Sequence, residues 1–276
     1  MILIRACEGF DELEACVQLQ VETWGVEPSE TTPRKTFLLA QKIGGQVIGA
    51  FNTGLPGANP QGGPESLVGF AFSLPGVKAS KENPLQAPQP YLHSHMLAVR
   101  SEWRNQGVGA QLKREQRLEA LSRGIRRMEW TFDPLEIKNS FLNIHKLGVT
   151  VREYRVNFYG VSSSRLQGGL PTDRLLAEWE LDSPRVEAIL EGRTVDRCSI
   201  TEHIHLPASI YQWKASEADR ERALAVQLEN RGKFQEAFSQ GLAVLDFSLD
   251  KEGNGIYELG FPAQVSGYSP KGPAQI

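Results

Sequence analysis

The stretch Met96-Leu97-Ala98-Val99-Arg100-Ser101-Glu102-Trp103-Arg104-Asn105-Gln106-Gly107-Val108-Gly109 decides how this chain reads. Within residues 91–124 it predicts an apolar strand, a polar turn with two glycines one residue apart, and a proline-free helix rich in Arg, Lys, Glu and Leu. A helix entered through glycines leaves its first backbone N–H groups unpaired and uncovered, with the positive end of the helix dipole behind them. Such an end suits an anion, most naturally phosphate or pyrophosphate. A dinucleotide fingerprint would need a third glycine where Gln111 and Leu112 stand. A plain strand-turn-helix connection is the other reading the local pattern allows.

The spacing Arg104-x-x-Gly107-x-Gly109 directly behind Leu97-Ala98-Val99 resembles motif A of the GNAT superfamily, the acyl-CoA-dependent N-acyltransferases. The resemblance implies that the loop of Arg104, Asn105, Gln106, Gly107, Val108, Gly109 and Ala110 holds the pyrophosphate of coenzyme A. It also implies that the backbone of Leu97, Ala98 and Val99 lines the pantetheine arm. The run from Asn139 to Gly148 is similar to motif B of the same family, where an asparagine opens a helix ending in Lys-x-Gly, here Lys146-Leu147-Gly148. Ile144 stands where many members place a tyrosine that reprotonates the leaving thiolate. The stretches 130–135 and 169–174 are similar to a subgroup of predicted acetyltransferases with unassigned substrate.

The 276 residues exceed what one small α/β domain needs, so a GNAT-like domain over 1–160 and a C-terminal extension over 161–276 are expected. The fold class is α/β (α+β), a mixed and mostly antiparallel central sheet flanked by helices. A net charge of −3 argues against a dedicated nucleic-acid binder. Cys7, Cys16 and Cys198 match neither a disulfide framework nor a Cys-x-x-Cys metal site, which suits reduced thiols in a cytoplasm. No signal peptide and no membrane span is expected.

In chain order, 2–4 predicts a first strand, 11–24 an amphipathic helix and 33–41 a shorter one. The stretches 46–52 and 66–74 predict a hairpin around a Gly/Pro-rich loop, and 75–90 a second long loop. A strand follows at 125–132, the motif B helix at 139–148 and part of a hairpin at 149–159. Beyond residue 160 come a strand at 175–181, a short helix from Ser183-Pro184 to Gly192 and a strand at 199–206. The helix 216–238 is expected to be capped by Ser216 with Asp219, with Leu224, Leu228, Phe234 and Phe238 on one face. A hairpin over 242–261 and a frayed tail from Ser269 complete the extension, which is expected to shape the substrate pocket or a homodimer interface.

Acyl transfer to an amine needs a held thioester, a base, an oxyanion donor and a route for the thiolate. His95 is the first candidate base and His93 the second, both on one face of the strand. Asp133 could bind a substrate ammonium or act as base, although Asp-Pro is more commonly a strand-ending turn. Asn143 and His145 are weaker candidates for the acid. Arg126, Arg127 and the run Lys113-Arg114-Glu115 read as a solvated face. The pairs His93-x-His95 and His203-x-His205 lie too far apart in sequence to suggest a metal site, and none is expected. The expected function is an N-acetyltransferase taking acetyl-CoA and a small-molecule or peptide amine. The alternative is a non-catalytic CoA-binding module.

Overall fold

A computed structural model describes residues 1–25, 27–54, 59–79, 87–160, 162–193, 195 and 200–262. Cys198, Ser199, Pro56, Gly57, the middle of the long loop after β3 and the tail from Ser269 lie outside the described residues. The chain divides into two compact units, Met1–Trp130 with Ser163–Arg165, and Thr131–Ser162 with the residues from Leu166 on. The expected boundary at residue 160 falls inside the second unit.

The first unit contains β1 (Ile2–Ala6), α1 (Gly9–Trp24), α2 (Arg34–Lys42), β2 (Gln46–Asn52), β3 (Leu67–Lys78), β4 (Gln89–Val99), α3 (Val108–Ser122) and β5 (Arg127–Phe132) as far as Trp130. Its strands lie in sequence order, antiparallel except for a parallel β4–β5 step. Alternation along the strands separates two apolar layers. Val47, Phe51, Phe70, Phe72 and Ala98 pack with Leu13, Cys16 and Leu19 of α1 and Phe37 of α2. Ile48, Ala50, Val68 and Ala71 pack with Val108 and Leu112 of α3. Gly25 ends α1 in a left-handed conformation at φ 60°, its N–H donating back to Val21 O.

Two expectations for this unit are corrected. The segment 75–90 is not loop throughout, because β3 runs to Lys78 and β4 starts at Gln89, pairing Pro75↔Leu92 through Lys78↔Gln89. The prolines suggested a loop, but Pro90 is solvent-exposed near the strand's start, where a missing N–H is tolerated. The Lys113-Arg114-Glu115 run is not a uniformly solvated face. Lys113 is 2% exposed, and the buried stripe of α3 is Val108, Leu112, Lys113, Gln116 and Ala120.

The second unit holds α4 (Ile137–Ser140), a π-helical turn Phe141–Lys146, β6 (Thr150–Arg155), β7 (Arg174–Glu180), α5 (Pro184–Leu190), β8 (Ile200–Leu206), α6 (Ile210–Ala215), α7 (Arg220–Ser239), β9 (Ala243–Leu249) and β10 (Gly255–Gly260). Its strands are ordered β7-β6-β9-β10-β8 and pair antiparallel. The C-terminal hairpin therefore joins the sheet that β6 and β7 begin. Trp179, Phe234, Phe247 and Tyr257 form its centre, all fully buried. Phe247 and Phe234 meet Tyr257 edge-on at 4.7 and 5.1 Å. The Tyr257 hydroxyl donates to Pro134 O, and Trp179 Nε1 donates to Leu147 O.

Here the long helix begins at Arg220, not Ser216. Ser216 instead ends α6, a helix the apolar pattern did not predict, and neither Ser216 nor Asp219 caps α7 with its side chain. Leu228 is 48% exposed. The buried face of α7 is Ala223, Gln227, Asn230, Phe234 and Ala237, with Gln227 Nε2 donating to Pro171 O and Asn230 Nδ2 to His205 O, while Gln227 Oε1 is buried without a hydrogen-bond partner.

Candidate active site

The Gly107 turn forms as the residue pattern requires. Gly107 caps α3 at φ 80° and Asn105 adopts φ 60°, so the two positions open to left-handed backbone bracket Gln106. A Cβ on Gly107 would meet only Gln111 Nε2, at 3.9 Å, so the glycine answers to conformation more than to space. The side chains that flank the amides fold back onto backbone. Arg104 Nε donates to Val99 O at 3.0 Å and Gln106 Nε2 to Glu102 O at 2.6 Å. Arg104, Asn105, Gln106 and Gly107 are solvent-exposed, while Val108 is buried against the sheet and Gly109 and Ala110 are half-buried. The first N–H groups of α3 thus stand at the surface without intrahelical acceptors.

The preceding strand is bulged. Phe72 opposes Met96 and Ser73 opposes Ser94, which leaves His95 without a partner on β3. The extra residue switches the faces. Ser94 points to α3 before the bulge, and Leu97 and Val99 take that side after it, while Met96 and Ala98 pack toward α1 and α2. The parallel register with β5 runs through Leu92↔Met128 and His93↔Glu129 and, among the described residues, does not continue beyond them. The segment 94–99 therefore has β3 on one edge and an open edge on the other.

His93 and His95 share a face, with ring centroids 6.1 Å apart, and His95 meets Phe72 edge-on at 5.9 Å. His95 keeps part of its surface in solvent, yet partial burial beside these rings lowers its pKa below the ordinary 6.5. His93 is lowered as well, first by burial and then by His95, with Lys113 and Lys78 adding to the effect and Glu129 opposing it. Both imidazoles are thus held in the form that accepts a proton at neutral pH. Glu129 is 4% exposed, accepts from Lys78 Nζ at 2.6 Å and forms an ion pair with Arg127, whose Nε lies 2.8 Å from its Oε1, which takes Arg127 out of the solvated face expected for it.

Asp133 and Asn139 belong to the second unit, and the histidines and the glycine turn to the first. Asp133 is buried; its Oδ1 accepts from Leu135 N and its Oδ2 from Lys214 Nζ at 2.8 Å, with Glu136 Oε1 2.7 Å from the same amine. Burial works against the Lys214 charge, but the two carboxylates outweigh it and raise that pKa. The Asp-Pro turn is thus tied into an ion cluster. Asn139 Oδ1 accepts from Asn143 Nδ2, and Asn143 and Ile144 are buried. His145 is half-exposed, stacked on Phe141 at 4.6 Å and 3.1 Å from Asp246 Oδ1.

The residue that sequence reading missed is Lys113. Its Nζ donates to Ser94 Oγ at 2.7 Å and lies 3.7 Å over the Trp130 ring centroid, and burial pushes its pKa down to about 7. The available signal was the position of Lys113 one step from Leu112 on the inward stripe of α3. Among the described residues no group of three or more His, Cys, Asp or Glu side chains is disposed to hold a metal ion. No described helix is long and apolar enough to cross a membrane.

No protein-family model matches the chain, and no curated protein matches it. Solved structures do. NAA60 of Arabidopsis thaliana in complex with acetyl-CoA is 15% identical over 65% of this chain and 99% of that one, at a TM-score of 0.50. An N-acetyltransferase from Staphylococcus aureus Mu50 is 16% identical, covering 66% and 99%, at 0.46. A GNAT family acetyltransferase from Elizabethkingia anophelis with acetyl-CoA bound is 16% identical, covering 65% and 97%, at 0.43.

Proposed function

We propose, from the premise that this chain has the GNAT fold, that it is an acyl-CoA-dependent N-acetyltransferase acting on an amine. The observation that carries the reading is the exposed helix start at Gly107, whose open amides follow a bulged strand with a free edge. In this reading the amides of Gln106 to Ala110 hold the pyrophosphate, as hydrogen-bond donors backed by the dipole of α3. Arg104 contributes by closing the turn through Val99 O and by its positive charge. The free backbone of Leu97, Ala98 and Val99 is where an extended pantetheine arm can pair as a strand would. An N–H of the same segment is available to the oxyanion.

His95 accepts the ammonium proton of the incoming amine, directly or through one water, and the free amine attacks the thioester carbonyl. The C–N bond forms, the C–S bond breaks, and the thiolate takes up, directly or through water, the second proton that the attacking nitrogen sheds as it becomes an amide, while the ammonium proton on His95 passes to solvent. His93, the more buried of the two rings, supports His95 by keeping a second positive charge away from it. Asp133 is left to its turn and its bond with Lys214.

Thermal unfolding with and without acetyl-CoA tests the reading. Ligand at a hundredfold excess over its dissociation constant adds about 2.7 kcal/mol and raises the midpoint by a few degrees. Thiol release with a panel of amines then follows turnover. No shift with either acetyl-CoA or free CoA would sink the proposal. A shift without turnover would favour a CoA-binding module without transferase chemistry, for which the fully buried Ile144 in the π-helical turn is the supporting observation.

A further inference from the structure

Lys113 takes no part in the function proposed above, yet it occupies an unusual place. It stands on α3, and its side chain reaches the point where β4 and β5 part. Ser94 and Trp130, its two contacts, each directly follow the last paired residues of their strands, His93 and Glu129. Among the described residues no carboxylate lies within ion-pair distance of Nζ. Its partners are a hydroxyl and an aromatic face. Ser94 Oγ in turn donates to Gln116 Oε1 at 3.1 Å, and Gln116 Nε2 is buried with no hydrogen-bond partner.

A buried amine with so little compensation lowers stability, because an apolar side chain of the same length would fill the space without losing hydration. Packing therefore does not account for it. What the amine does accomplish is local: it ties the residue before the bulge to α3 and sits on the first residue of β5 that is out of register with β4. We propose that Lys113 is a positioning residue of the acyl-transfer site, fixing through Ser94 where β4 leaves β5 and so aiming the bulged His95 and its neighbour His93. This rests on the acyl-transfer reading and adds a residue to it.

The charged and titratable groups facing His93 are His95 on β4, Glu129 on β5, Lys78 on β3 and Lys113 on α3. Removing the last one takes a charge from beside His93 whatever its role, whereas His95, lowered by burial alone, moves only if its position moves, which a role confined to packing would not cause.

The test uses the full chain with Lys113→Met and, because that variant could fail to fold, Ser94→Ala as well. Lys113→Met is expected to melt a few degrees higher than the parent at neutral pH and to bind acetyl-CoA within about threefold of it, since the Gly107 turn is untouched. Turnover is expected to fall by roughly 10- to 100-fold in kcat with little change in KM for acetyl-CoA. Ser94→Ala should show a similar loss, and the double variant should lose no more than the larger single one. In side-chain NMR the titration midpoint of His93 should rise by roughly half a pH unit in Lys113→Met, while His203 and His205 stay in place. A folded Lys113→Met with parental kcat and an unmoved His95 titration overturns the proposal. Failure of the acyl-transfer reading shows separately, as no binding of acetyl-CoA by the parent protein.

Discussion

Gly107 and Lys113 set opposite kinds of constraint on the first unit. Gly107 holds φ 80° in open space, so Gly107→Asp strains the turn by about 1–2 kcal/mol and places a negative charge among the amides. We expect a melt lowered by a few degrees, a folded circular dichroism spectrum and no stabilisation by acetyl-CoA. Lys113 binds its proton less tightly when folded, near pH 7, than its ordinary value of 10.5. Between those values the unfolded chain carries a proton the folded one lacks, so stability rises with pH across this window, at up to about 1.4 kcal/mol per unit. Denaturant melts from pH 7 to 10 check this, and Lys113→Met should flatten the rise. The histidines titrate below 6.5, so kcat/KM should climb with pH on an acid limb centred below that value. His95→Ala should remove roughly 100-fold or more of the rate. The glycine turn was legible because left-handed backbone has a residue signature. Lys113 was not, because charge in a helix reads as surface until the facing sheet is known.

At the scale of elements, α7 shows how polar residues conceal a buried face. Its inward stripe interleaves Gln227 and Asn230 with Ala223, Phe234 and Ala237, so apolar spacing led to Leu228 instead. Leu228→Ala should change stability by no more than about 0.5 kcal/mol, whereas Phe234→Ala should cost about 3–5 kcal/mol. Urea melts of the two variants decide it. The motif B segment is a second case. An α-helical turn at Ile137–Ser140 passes into a π-helical one at Phe141–Lys146, with Ile144 fully buried inside it. Placing a tyrosine there adds bulk to a closed site and should destabilise the protein by about 1–3 kcal/mol without supplying an acid to solvent. The residue pattern that resembles motif B marked this helix and its Gly148 stop. It could not see the widened turn, because the hydrogen-bond step is decided by what the turn packs on.

Taken as a whole, the molecule is two compact units whose centres have different character. The second is held by a buried polar knot beside its aromatic core. Asp173 is fully buried and accepts from Tyr154 Oη at 2.6 Å, Asn157 N at 2.9 Å and Arg231 Nε at 2.9 Å. Asp173→Ala strands all three donors and should cost at least about 3 kcal/mol, seen as an early melt. By itself the sequence determined the order of strands and helices apart from α6, the glycine turn at the head of α3, the hairpin of β9 and β10 and the two histidines on one face of β4. These follow from periods, glycines and prolines that act within a few residues. Only the tertiary structure decided that His95 is the bulged residue, that β4 and β5 part after His93, that Asp133 is engaged by Lys214 and that Lys113 is inside. Each depends on an element distant in sequence, and a local pattern cannot carry a register shift, an ion partner or burial that comes from across the sheet.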